Sequence, residues 1–233
     1  MAPADDRSAG AGAPVGRRVV LGLAGLGVAG VLGGGALSRQ LSDWLAPVML
    51  RDPTGLLATL PLGPVFRYYS VTGPVEPRDA ATYRLEVGGL VDRPSTYTLA
   101  DLEALPQTSF TSDFHCVTGW VVPEVAWTGV RLGDLIDRAR PSASATAVKF
   151  RSFDGVYTES LTLEDARRDD VIVALRMLDE PVTHDHGGPV RTHASSMYGY
   201  KGTKWLSAIE LTAEEEPGYW EERGYDIDGT IRG

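Results

Sequence analysis

Three segments contain the residue types that could form a reactive or metal-binding site. The first, Phe114–Trp120, includes Cys116, the single cysteine of the 233-residue chain. The other two, Asp185–Arg191 and Tyr198–Trp205, are polar and rich in glycine. A lone cysteine cannot form an intramolecular disulfide, and its metal-binding form, the thiolate, is favoured beside cationic groups. Together the three segments indicate a polar site built around one sulfur atom.

The same segments supply the cations that such a site needs, namely His115, His186, Arg191, Lys201 and Lys204. Guanidinium and ammonium groups bind anions such as phosphate through charge-assisted hydrogen bonds, and glycine lets backbone N–H groups approach a ligand closely. An isolated Arg or Lys is more commonly a solvated surface charge, and Lys201 could be one. We therefore expect an anion-binding wall beside the thiol.

The N-terminal region differs in composition from the remainder. Arg17 and Arg18 precede an uncharged, glycine-rich run, Val19–Leu37, which resembles a twin-arginine export signal. As a hydrophobic helix it would span about 28 Å, close to the ~30 Å of a bilayer core, so it could also anchor the chain. Residues 38–77 contain six prolines, which predicts a linker of irregular structure, and residues 78–233 are predicted to form the globular domain.

Composition and charge limit the classes of partner. The chain is 43% hydrophobic and 23% charged, as is typical of packed globular proteins. Its net charge is −9, and because residues 1–37 carry +1, the remainder carries −10. Nucleic-acid binding depends on clustered Lys and Arg, so such an acidic body argues against it. An extracytoplasmic location, exported or anchored through residues 19–37, fits this composition.

Hydrophobic periodicity predicts the elements that must position the three segments. Thr98 and Thr162 are predicted to cap two short helices, and the spacing of apolar residues predicts a third over Leu132–Ala139. Strands are predicted for 83–87, 109–117, 147–153, 156–161, 171–177 and 205–211. Short strands between short helices indicate an α+β fold with mixed sheets. The aromatic residues of the acidic segment 214–233 are expected to pack across this domain.

The motifs also resemble those of a known family. Cys-Val-x-x-Trp at 116–120, Gly-x-Pro-Val-Arg at 187–191 and Tyr-Gly-x-Lys-x-x-Lys-Trp at 198–205 occur in that order. Over about residues 66–225 the chain resembles the molybdopterin-binding domain of the sulfite oxidase family, in particular the compact bacterial periplasmic methionine sulfoxide reductases. The resemblance implies a sulfite oxidase-like α+β fold that binds one molybdenum–molybdopterin cofactor per chain.

Roles follow from that resemblance residue by residue. Cys116 falls on the position of the thiolate that binds molybdenum, a role that suits a soft sulfur ligand. The positions that match cofactor contacts are Arg67, Tyr68, Tyr69, Ser152, His186, Arg191, Gly202, Thr203 and Lys204. The implied reaction is a two-electron oxygen-atom transfer on a small oxo compound, with a membrane haem subunit or a small cytochrome as electron partner.

The residues that follow the cysteine limit the class of substrate that the site could take. Relatives that oxidise sulfite place extra arginines after this cysteine, whereas Val117–Val122 is neutral here. A neutral, sulfoxide-like substrate is therefore favoured, although Arg67 could supply a cation and leaves sulfite possible. The alternative functions are a zinc-binding structural or interaction domain, using Cys116 with His184, His186 and His193, and a cofactor-free binding module.

Overall fold

The computed structural model describes residue 66 and residues 69–231 of the chain. Strands and short helices alternate in this part, and their bounds show that strands dominate. The strands are β1 (Leu85–Gly89), β2 (Ser95–Tyr97), β3 (Thr108–His115), β4 (Val121–Arg131), β5 (Ala147–Ser152), β6 (Thr158–Thr162), β7 (Val171–Met177), β8 (Glu180–Pro181), β9 (Arg191–Ala194) and β10 (Leu206–Thr212). The α-helices are α1 (Leu99–Glu103), α2 (Leu132–Ala139) and α3 (Leu163–Ala166).

The first sheet is mixed and has the order β2-β1-β10-β5-β6. β1 pairs with β10 in parallel, while the other neighbours are antiparallel. β5 and β6 form the predicted hairpin, in which Asp154 accepts hydrogen bonds from the backbone of Val156 and Tyr157. An aspartate that binds its own turn in this way favours a tight connection between strands.

The second sheet is antiparallel, and two of the three segments that could form the site lie at the ends of its strands. β3 pairs with β4 and β4 with β7, and both β8 and β9 pair with β7. β3 ends at His115, two residues before the predicted end at residue 117, so Cys116 lies directly after the strand, and Arg191 is the first residue of β9. Neither β4 nor β9 was predicted from the sequence. The β3–β4 and β4–β7 pairings both shift register, which interrupts the simple alternation that identifies strands.

The buried strand β7 separates two apolar cores. Its residues Val171, Val173 and Leu175 pack in a core that also contains side chains of the first sheet and of α2. Residues on its other face, including Ile172 and Ala174, pack in a second core with Trp127. Burial on both faces explains why the first five residues of β7 form a continuous apolar run in the sequence.

Helix ends are fixed by the capping residues that were predicted. Thr98 accepts a hydrogen bond from the Asp101 backbone N–H at 3.1 Å, and the Asp101 carboxylate accepts one from the Thr98 N–H at 2.8 Å. Thr162 caps α3 by accepting from the N–H of Asp165 at 3.0 Å. Such caps satisfy backbone donors that a helix cannot satisfy internally.

The prediction of mixed sheets with short helices is confirmed. The predicted N-terminal hydrophobic helix, Val19–Leu37, lies outside the described residues, as does most of the predicted linker. Within the part of the chain that the structure describes, none of the helices has the length and apolar character needed to cross a bilayer.

Candidate active site

The cysteine lies in a tight turn between β3 and β4. The backbone N–H of Cys116 donates to the carbonyl of Trp120 at 2.9 Å, and the Gly119 N–H donates to the Cys116 carbonyl at 2.9 Å. Gly119 has φ +93°, a left-handed conformation that favours glycine. The turn leaves Cys116 partly exposed, with its Sγ 3.1 Å from the Thr118 hydroxyl oxygen. The thiol therefore faces outward from the sheet instead of filling the core.

One cavity of about 350 Å³ brings the predicted segments together. Its wall includes Cys116 from the first segment, Arg191 from the second, and Gly202 and Lys204 from the third. Tyr69, which was also predicted to contact a cofactor, lies on the same wall. Five of the predicted site residues, far apart in sequence, therefore surround one space.

Arg191 places a buried cation against this cavity. Arg191 is only 2% exposed, and its Nη1 donates a hydrogen bond to the His186 carbonyl at 2.8 Å. Burial lowers the pKa of the guanidinium to about 10, so it remains charged at neutral pH. Among the described residues no carboxylate forms an ion pair with it. A buried cation without a counter-charge is costly, and an anion bound in the cavity would offset that cost.

Lys204 adds a second cation close to the first. Its Nζ donates to the carbonyls of Tyr69 and Asp185, both at 3.1 Å. Burial, and then the charge of Arg191, lowers the pKa of this ammonium to about 7. An anion such as phosphate would raise that pKa by stabilising the charged form. Arg191 and Lys204 together therefore form a positive patch suited to an anionic group.

Glycine keeps this patch open. A Cβ atom on Gly202 would lie 3.0 Å from Nη2 of Arg191, so a larger residue would displace the guanidinium. Gly187, at φ +95°, lies where a Cβ would come within 2.6 Å of the Lys204 side chain. Thr203 is fully buried, and its N–H donates to the Thr192 hydroxyl at 2.7 Å, so it supports the wall from behind.

His186 and Ser152 are close to the cavity but are not part of its wall. The His186 carbonyl holds Arg191, and its Nδ1 is 2.8 Å from the Thr183 hydroxyl. Burial, followed by the charges of Arg191 and Lys204, lowers the pKa of His186 to about 4, so the ring is neutral. The Ser152 hydroxyl accepts from the N–H of Asp154, a residue of the wall, at 3.1 Å. Arg67 and Tyr68 lie outside the described residues.

The zinc hypothesis is not supported by this arrangement. No group of three or more His, Cys, Asp or Glu side chains in the described part of the chain, which includes all four proposed ligands, is placed to hold a metal ion. His193 is instead buried, with its ring stacked 4.1 Å from that of Trp127. His184 packs against Trp205 at 5.5 Å. These two histidines therefore have packing roles.

Acidification should destabilise the protein through His193. Burial, and then the charge of Arg191, lowers the pKa of this ring to about 3 from 6.5. A histidine whose pKa is lower in the folded state than in the unfolded state contributes its full stabilisation above the unfolded-state pKa of 6.5. This contribution is lost as the pH falls towards and through the folded-state pKa of about 3. Between pH 6 and 4 its loss should reduce the free energy of unfolding by up to about 1.4 kcal/mol per pH unit. Denaturant titrations at several pH values measure this free energy, which should fall less steeply with decreasing pH in His193→Gln than in wild type. An equally steep fall in both proteins would contradict this assignment.

Aromatic side chains complete the wall, and two of them come from the segment that was expected to pack across the domain. Trp220 and Tyr225, from the acidic C-terminal segment, line the cavity together with Tyr200, Trp120 and Trp205. The Trp220 ring lies 5.8 Å from that of Tyr69 and 5.1 Å from that of Tyr225. The density of aromatic residues near 219–225 was the available signal, but it did not distinguish a packing role from a cavity wall.

The chemistry of this cavity fits a molybdenum–pterin cofactor. A partly exposed thiol can hold a soft metal. The positive patch of Arg191 and Lys204, kept open by Gly202, suits a phosphate group. Flat aromatic rings on the remaining wall suit a planar organic ring system.

Comparison with known proteins agrees with this geometry. Residues 72–220 match the family described as "Oxidoreductase molybdopterin binding domain". The "Uncharacterized oxidoreductase YuiH" of Bacillus subtilis (strain 168) is 36% identical over 151 residues, which cover 65% of this chain and 76% of that protein. The "Putative protein-methionine-sulfoxide reductase subunit YedZ1" of Azospira oryzae is 31% identical over 164 residues, which cover 70% of this chain but 62% of that protein.

A solved structure supports the fold. The sulfane dehydrogenase SoxCD from Paracoccus pantotrophus is similar with a TM-score of 0.56 and 21% identity, covering 60% of this chain and 40% of that chain. The family match spans more than half of the chain and contains Cys116, Arg191 and Lys204. The predicted resemblance and cofactor class are thus confirmed, and the chain belongs to the family of molybdopterin-binding oxidoreductase domains.

Proposed function

We propose that this chain is the catalytic unit of a molybdenum–pterin oxidoreductase that transfers an oxygen atom to or from a small, neutral, sulfoxide-like compound. The observation that carries the proposal is the shared cavity, in which a thiol and two cations from three separate segments face one space. The thiol would hold the metal, and the cations would hold the anionic tail of the cofactor. Such a division of roles requires these groups to share one cavity.

The chain's own residues would bind and orient the reacting groups. When bound, the cofactor supplies a metal that exchanges two electrons as an oxygen atom is transferred. Cys116 would ligate that metal as a thiolate, and the Thr118 hydroxyl, 3.1 Å from the sulfur, can donate a hydrogen bond to it. The guanidinium of Arg191, held by the His186 carbonyl, would orient the cofactor through its anionic tail. Trp120 and Trp220 would limit the access of water to the cavity.

The character of the wall supports a neutral substrate over a dianion such as sulfite. The wall residues that follow the thiol in sequence, Val117, Thr118 and Trp120, carry no charge. We assign the two cations of the wall, Arg191 and Lys204, to the cofactor, so that neither remains to attract an anionic substrate. The name of the Azospira relative, a putative protein-methionine-sulfoxide reductase subunit, is consistent with this choice. Sulfite remains the second candidate, through Arg67.

The electrons would be exchanged with a separate redox protein, for which we propose a membrane haem subunit or a small cytochrome. The Azospira relative is named as a subunit, which fits a divided enzyme. We propose an extracytoplasmic location, reached through the twin-arginine-like segment at residues 17–37.

Purified protein should contain about one molybdenum and one pterin per chain. With an artificial electron mediator, the loaded protein should turn over a neutral sulfoxide at least about tenfold faster than sulfite, because the wall residues that follow the thiol carry no charge. Metal analysis and a mediator-coupled absorbance assay measure both quantities. Protein that contains zinc without molybdenum would overturn the proposal, and faster turnover of sulfite would overturn the substrate assignment.

A further inference from the structure

A second group of charged side chains lies outside the cavity and takes no part in the proposed reaction. The Nζ of Lys201 is 2.7 Å from Oε1 of Glu159 and 3.0 Å from Oε1 of Glu221. The three side chains are at most 3% exposed. The sequence suggested that Lys201 could be a solvated surface charge, and the structure corrects this, because its buried ammonium contacts two carboxyl groups that are distant in sequence. Below we call this group the Lys201 cluster.

The Lys201 cluster connects two parts of the cavity wall. Lys201 lies in the 3-10 turn Gly199–Lys201, next to the wall residues Tyr200 and Gly202. Glu221 begins the 3-10 turn Glu221–Arg223, which lies between Trp220 and Tyr225 of the same wall. Glu159, in β6, joins both turns to the first sheet. Each residue of the cluster therefore lies within four residues in sequence of a residue that lines the cavity.

Polar contacts, together with aromatic contacts such as that of Tyr225 with Tyr200, hold the C-terminal segment, residues 219–231, in place. The buried apolar residues of the described chain end at Leu211. Beyond that point Lys201 also donates to the Ile227 carbonyl at 2.9 Å, and the Tyr200 hydroxyl donates to the Asp226 carbonyl at 2.6 Å. Backbone bonds add to these, such as that from the Tyr198 N–H to the Gly229 carbonyl at 2.9 Å.

The charges of the Lys201 cluster favour a stable ion pair at neutral pH. Burial raises the pKa of Glu159 to about 8, so this carboxyl keeps its proton at neutral pH. The ammonium of Lys201 is then balanced by one carboxylate, that of Glu221. Removal of one partner from such a buried pair leaves an uncompensated charge, which strongly disfavours the closed arrangement.

We propose that Lys201, Glu159 and Glu221 are positioning residues that clamp the C-terminal segment, residues 219–231, over the cavity, so that Trp220 and Tyr225 form its wall. The clamp acts on the cavity through these two aromatic residues and touches neither the thiol nor the positive patch. It therefore governs how long a cofactor stays in the cavity, whatever compound the enzyme acts on.

Limited trypsin digestion of the full-length, cofactor-loaded protein tests this clamp. Arg223 is an exposed cleavage site within the segment. In Glu221→Ala, cleavage after Arg223 should be at least about tenfold faster than in wild type, because opening of the segment no longer breaks the buried ion pair. The half-time for loss of molybdenum on gel filtration should shorten in parallel. Cleavage at sites in the sheets should keep its wild-type rate.

Glu222→Ala is the matched control. Glu222 is adjacent in sequence, its side chain is 64% exposed, and its ion pair with Arg223 is 3.6 Å long at the surface. This variant should match wild type in both readouts. Glu221→Gln keeps the shape and an acceptor for Lys201, so it should lie between the other two variants.

Equal cleavage rates in Glu221→Ala and Glu222→Ala would overturn the proposal. It would equally be overturned if cleavage throughout the sheets accelerated as much as cleavage at Arg223, because that pattern indicates global unfolding. The digestion needs no substrate, so its failure is distinct from a failure of the proposed reaction, which the substrate assay detects.

Discussion

Cys116→Ser should abolish turnover while the protein keeps its cofactor. Serine is a poor ligand for a soft metal, whereas the positive patch of Arg191 and Lys204, which would hold the anionic tail, is unchanged. We expect the rate with a sulfoxide substrate to fall by at least about a thousandfold, equivalent to about 4 kcal/mol in the activation free energy. Pterin content per chain should remain within about twofold of wild type. Mediator-coupled turnover and fluorescence of the extracted pterin measure the two effects.

Thr118→Ala provides the control for this experiment. It removes the hydroxyl that lies 3.1 Å from the sulfur but keeps the thiol, so a loss of about tenfold or less is expected. If Cys116→Ser kept wild-type activity, the sulfur could not be the metal ligand. Loss of the pterin together with activity would instead show that Cys116 is needed to retain the cofactor.

Arg191→Ala should produce protein that is largely empty of cofactor. The variant removes the buried guanidinium that faces the cavity without a carboxylate partner among the described residues. A charge-assisted contact of this kind contributes about 1.5–3 kcal/mol, so occupancy at limiting cofactor should fall by about tenfold or more. Metal analysis of the purified variant measures the occupancy, and turnover per molybdenum should change less than turnover per chain.

Two further variants separate the geometry of Arg191 from its charge. Arg191→Lys keeps the charge but loses the planar fork that the His186 carbonyl orients, so it should restore occupancy only in part. Arg84→Ala should leave occupancy unchanged, because this arginine is exposed and, among the described residues, donates to carbonyls of its own segment. An Arg191→Ala protein with full molybdenum content would contradict the cofactor assignment.

Local patterns predicted much of the framework. The cap at Thr98 is specified by residues within one helical turn, and the helix Leu132–Ala139 buries the four apolar residues whose spacing predicted it. The strand that ends before Cys116 and the hairpin at Asp154 likewise depend on neighbouring residues. Such short-range signals can be read from one sequence, because the interactions that stabilise them span only a few residues.

Features that depend on distant partners were not predicted. β4 contains Pro123, and Glu124 has φ 51°, so its alternation is broken where the Glu124 N–H donates to Asp113 in place of a regular ladder bond. Lys201 was misjudged because its partners lie 42 and 20 residues away. The roles of Trp220 and Tyr225 could not be predicted from composition either, because an aromatic ring that packs on a surface and one that lines a cavity have the same local sequence.

The wall around Cys116 is assembled from residues between Tyr69 and Tyr225. A nascent chain therefore cannot present a finished pocket until residue 225 has emerged from the ribosome. We therefore expect cofactor insertion to follow folding of nearly the whole domain, and a fragment that stops before Trp220 to leave this cavity half open to solvent.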